Sequence, residues 1–93
     1  MKNNITLSQA QVLRILTDLE FVITSADRLG SAGLSERLFK TALHDFIVDG
    51  DVFRRLAAVR HEVILAVDRA VSAQEVHALE AKLEKIKPWK PKS

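Results

Sequence analysis

The sequence predicts an all-α protein, an antiparallel four-helix (or three-plus-one) bundle with a short basic C-terminal tail. Three observations carry this. Apolar residues recur at three- and four-residue spacings from Leu7 to Ile86, the period of helices that turn one face from water. Short polar residues able to cap a helix precede each periodic run, and glycine-containing breaks separate the first three. Apolar residues are 47% and charged residues 28% of the 93, enough apolar surface to offset chain entropy in one domain but not two.

Helix 1 is expected from about residue 7 to 28, capped by Thr6 or Ser8, with Val12, Ile15, Leu16, Leu19, Val22, Ile23 and Ala26 as its core stripe. Arg14 and Asp18 would pair on its outer side. The run Leu29-Gly30-Ser31-Ala32-Gly33 ends it, because glycine accepts the left-handed geometry that closes a helix. Helix 2 covers 35–48, with Ser35 as cap and Leu38, Phe39, Ala42, Leu43 and Phe46 inside. Asp49-Gly50-Asp51 is a turn, and Asp51 would cap helix 3, about 52–71. Its inner stripe is Val52, Leu56, Val59, Val63, Val67 and Ala70, flanked by Phe53 and Ile64. Ser72-Ala73-Gln74-Glu75 has the capping-box form and opens helix 4, whose narrow seam is Val76, Leu79, Leu83 and Ile86. Pro88 and Pro91 cannot continue it, so the chain divides into a bundle, 1–86, and a flexible tail, 87–93.

Charge is unevenly placed. Four of the fourteen Lys and Arg, namely Lys85, Lys87, Lys90 and Lys92, lie in the last nine residues, where no acid stands; the other ten face all twelve Asp and Glu. The body is therefore slightly acidic, and the sequence pI of about 9.2 belongs mostly to the tail. No cysteine is present, which excludes disulfide scaffolds and cysteine-ligated zinc. No run approaches the apolar length of a transmembrane segment and the start does not match a signal peptide, so a cytoplasmic location is expected.

Candidate contact residues follow from these patterns. Phe21 lies nearly opposite the predicted core stripe of helix 1, among Gln11, Arg14, Asp18 and Ser25, where its ring would stand in water. Arg60 falls in the apolar sector of helix 3 and must extend outward or find an acid, with Glu20 and Asp27 as candidates within the chain and an acidic group on another chain as the functional alternative. Trp89, with Lys87, Lys90 and Lys92, offers an aromatic amid positive charge, suited to an acidic partner protein, a membrane surface or, weakly, a nucleic-acid backbone. His44 sits beside Arg37 and Lys40, and His77 beside Glu80 and Glu84; neither has a second histidine, and no metal or other cofactor is expected.

On helix 3, Arg54 and Arg55 precede His61 by six and five intervening residues. This spacing resembles the arginine-to-histidine spacing of HEPN-type ribonucleases and toxins, which are small helical dimers. The resemblance implies His61 in proton transfer and Arg54 or Arg55 on phosphate charge, in metal-independent RNA cleavage. It spans eight residues, and Leu56 stands where the family's arginine is usually followed by a polar residue.

The reading that fits most of the chain is a small non-catalytic protein–protein interaction module, regulatory, adaptor, immunity or antitoxin-like, that forms a homodimer and binds another protein. The alternative is a weak nucleic-acid binder or HEPN-like ribonuclease. The long, very apolar helix 1 and the thin seam of helix 4 are what point to dimerisation.

Overall fold

A computed structural model describes residues 4–92. Within them the chain is all-helical: α1 (Gln9–Ser31), α2 (Glu36–Asp49), α3 (Val52–Ala70) and α4 (Ala73–Glu84). Ser8 caps α1, its Oγ accepting the Gln11 N–H at 3.1 Å while the Gln11 side chain accepts the Ser8 N–H at 2.9 Å. α1 runs through Gly30 and ends ahead of Gly33, whose φ of 70° is the left-handed turn that glycine makes freely. Ser35 caps α2, and Ser72 and Glu75 close the expected capping box of α4.

The start of α3 differs from expectation. Asp51 is itself left-handed, with φ 52°, and caps no backbone N–H; its Oδ2 accepts from Arg54 Nε at 3.3 Å. A side-chain cap needs the extended backbone found at Ser8, Ser35 and Ser72, which holds the oxygen over the first turn. The turn is instead set by Gly50, where a β-carbon would lie 2.6 Å from the Phe46 carbonyl oxygen and 3.1 Å from the Phe21 ring.

α1 and α3 form the main pair. Gln11 and Arg14 meet Glu62, and Asp18 meets Arg55, so numbers rise along one helix as they fall along the other and the pair is antiparallel. α2 packs on both near the Gly50 turn, where the Phe21 and Phe46 rings lie 6.2 Å apart, and α4 leans on α3 alone. The arrangement is three-plus-one, and it is flat. Its extents are 51 × 36 × 18 Å and its radius of gyration is 17.1 Å, against about 12 Å for a compact domain of this length. Among the described residues only Ile15, Val52, Ala66 and Val67 are buried apolar side chains.

The helix faces are rotated from the sequence expectation. The α1 seam toward the chain's interior is Gln11, Ile15, Asp18, Val22, Ser25 and Leu29, spaced four and three, in which Gln11 is only 5% exposed. Val12, Leu16, Ile23 and Ala26, expected in the core, are exposed. On α3, Val52, Val59, Val67 and Ala70 are covered as expected, whereas Leu56 and Val63 are exposed and Phe53 is 74% exposed. The cause is polar complementarity: Arg14 and Asp18 do not pair with each other but reach across to Glu62 and Arg55, pinning a mixed polar seam between the helices.

Candidate interaction surface

Two ion pairs define the α1–α3 contact. Glu62 accepts Arg14 Nε at 2.8 Å and Gln11 Nε2 at 3.2 Å. The Arg14 hydrogen bond above all, then that of Gln11, holds the Glu62 carboxyl below its ordinary pKa against an opposing effect of burial, and Glu62 in turn raises Arg14. Asp18 accepts Arg55 at 2.9 Å; the same guanidinium donates to the Gly50 carbonyl at 2.9 Å and lies 4.0 Å from the centre of the Phe21 ring. Phe21 keeps 37% exposure but is not the isolated aromatic that the helix wheel suggests, since Phe46 and Arg55 cover it.

This settles where α2 lies. Phe21, which α2 touches through Phe46, stands roughly 140–180° around α1 from Val12, Leu16, Leu19 and Ile23. α2 therefore meets α1 on the side away from that stripe, in which Val12, Leu16 and Ile23 are exposed and Leu19 is half-buried. Right-handed rotation in an antiparallel pair carries the stripe of α1 and Leu56 and Val63 of α3 to one side of the layer, while Phe53, nearly opposite Arg55 and Glu62 around α3, points away from α1. The result is an apolar face with Leu16 50% and Ile23 58% exposed. Arg60 stands at its edge, in a shallow cleft of about 300 Å³ with Phe53, Leu56 and Ala57. It makes no ion pair among the described residues, so pairing with Glu20 or Asp27 is not found; the sector expected to be buried is open, and the guanidinium reaches water without a partner.

The tail stands apart. Trp89 is 84% exposed, and Lys87, Lys90 and Lys92 are exposed around it. Leu83 and Ile86 are also exposed, so the α4 seam is covered only at Val76 and Leu79, nearest α3.

The arginine and histidine residues of α3 do different things. Arg55 turns inward to Asp18, whereas Arg54 pairs with Asp51 at the surface and His61 is exposed. Residues six apart point about 120° away from each other around a helix, so Arg55 and His61 do not converge. His44 lies 3.4 Å from Asp45 and His77 4.0 Å from Glu80, both at the surface. Among the described residues no three His, Cys, Asp or Glu side chains gather as metal ligands, and no helix is long and apolar enough to cross a membrane.

The outward stripe is apolar in the sequence, and its periodicity is the same as that of a core stripe. The overlooked signal was the match between Arg14 and Asp18 on one helix and Glu62 and Arg55 on the other, opposite charges at antiparallel positions. Comparison of the chain with protein-family models, curated proteins and solved structures finds no match.

Proposed function

We propose that this chain is a small non-catalytic helical interaction module, acting in the cytoplasm by protein contact in a regulatory, adaptor, immunity or antitoxin-like role. The observation that carries this reading is the set of exposed apolar side chains Val12, Leu16, Ile23, Leu56 and Val63, left open on a chain with so small an interior. Apolar side chains grouped on one side and left in water are costly, and such groups mark binding sites for other proteins. Arg60 at its edge supplies a charged anchor, of the type enriched at interfaces. Trp89 with Lys87, Lys90 and Lys92 forms a second, separate contact for an acidic partner surface. Phe21 serves chiefly to seat Arg55 and α2.

The test is binding with surface variants. Leu16→Glu combined with Leu56→Glu should abolish capture of protein partners by the immobilised full chain, and removal of residues 87–93 should weaken it in a salt-dependent manner. Cleavage of single-stranded RNA by the wild-type chain, lost in His61→Ala with an unchanged circular dichroism melt, would replace this reading by the catalytic one.

A further inference from the structure

We infer that the open face is closed by a second copy of this chain, α3 of each copy lying over α1 of the other about a two-fold axis. The inference rests on the interaction-module reading and adds the partner's identity and docking surface. The first argument is area. A folded chain of 10.4 kDa exposes about 5,400 Å² by the scaling for monomers, whereas this one exposes 7874 Å². Granting the seven tail residues the full area of an extended chain, about 1,250 Å², leaves about 1,500 Å² more than a monomer of that size exposes, and granting the same to the eight residues ahead of α1 still leaves about 600 Å². Two copies hiding that excess bury about 1,200–3,000 Å² together, from the standard size of a specific interface into the homodimer range.

The second argument is dependence. Among the described residues no large side chain is fully buried. A chain with so small an interior gains stability from a partner that covers its open apolar side chains, and the partner present at every synthesis is another copy.

The third is self-complementarity, which a two-fold contact demands because the same patch serves both sides. α1 offers a ridge of Val12, Leu16, Leu19 and Ile23; α3 offers Leu56 and Val63 on the same side, with Arg60 beyond them. The rim of α3 carries Arg60, and the rim of α1 carries Glu20 and Asp27, none of them ion-paired among the described residues. Crossing α3 over the other copy's α1 brings opposite signs to one edge.

Sedimentation equilibrium of the full chain from micromolar to submillimolar concentration should give twice 10.4 kDa. Leu16→Glu with Leu56→Glu should weaken association by at least about 100-fold. Because that variant can lose its fold along with its partner, thiol pairing provides an independent measurement: the chain has no cysteine, so Leu16→Cys mixed with Leu56→Cys should oxidise to the crossed dimer much faster than Asp45→Cys alone on α2. Wild-type chain that sediments as one folded copy throughout overturns the inference, as does Asp45→Cys cross-linking equally fast. A folded single copy that binds a different protein through Leu16 and Leu56 defeats self-association and leaves the interaction reading standing. A folded single copy indifferent to Leu16→Glu defeats both.

Discussion

The Arg55 guanidinium lies over the Phe21 ring at 4.0 Å while donating to Asp18 and to the Gly50 carbonyl, so one cation joins α1, the α2–α3 turn and α3. Its planar fork makes these contacts together, which a lysine ammonium cannot. In a double-mutant cycle of Phe21→Leu and Arg55→Met, urea unfolding at one fixed chain concentration should give a coupling of about 0.5–2 kcal/mol. Simple additivity would mean that the ring and the cation act independently.

Glu62 makes stability respond to acid. Its carboxyl titrates below 4.5 in the folded chain because Arg14 and Gln11 bind the anion. On acidification the unfolded state therefore takes up this proton first, so the contribution is full above the ordinary carboxylate range and disappears as pH falls through the folded-state value. Wild type should melt above Glu62→Gln at neutral pH, and the gap should close progressively below pH 4.5. A gap constant down to strong acid would assign the effect to packing.

Two glycines should respond in opposite directions to the same substitution. Gly50→Ala forces a β-carbon against Phe46 and Phe21 and should cost about 1–3 kcal/mol. Gly30→Ala adds a methyl group in open space within α1 and should stabilise by about 0.5–1 kcal/mol. Thermal melts of the two variants, read with equal chain concentration, check both signs.

Ser72→Ala removes the reciprocal cap of α4, where Ser72 Oγ accepts the Glu75 N–H at 3.2 Å. The expected loss is about 1 kcal/mol. Because α4 leans only on α3, amide exchange should quicken across Ala73–Glu84 and stay nearly unchanged in α1. Uniform quickening throughout the chain would show that α4 is coupled to the whole fold.

The residues that punctuate the chain were readable from chemistry alone. Ser8, Ser35 and Ser72 cap helices because a short hydroxyl meets unpaired N–H groups within a few positions, and Gly33 closes α1 by an equally local rule. What the sequence could not assign was which side of α1 meets α3. Periodicity marks Val12, Leu16 and Ile23 as a stripe that avoids water, yet it is silent on whether the cover comes from the same chain. The decision lay with Arg14, Asp18, Arg55 and Glu62, whose pairing is long-range and fixes the register. Arg60 departs from expectation for the same reason: its sector is apolar but uncovered.

The position of Trp89 also governs how this protein can be watched by light. The chain has one tryptophan and no tyrosine, and that indole stands in solvent beyond the last helix. Ultraviolet emission therefore reports the surroundings of the tail: melting the helices leaves its colour almost unaltered, whereas a ligand gripping the indole shifts it to the blue. The chain thus carries a built-in optical label that is blind to unfolding and sensitive to capture.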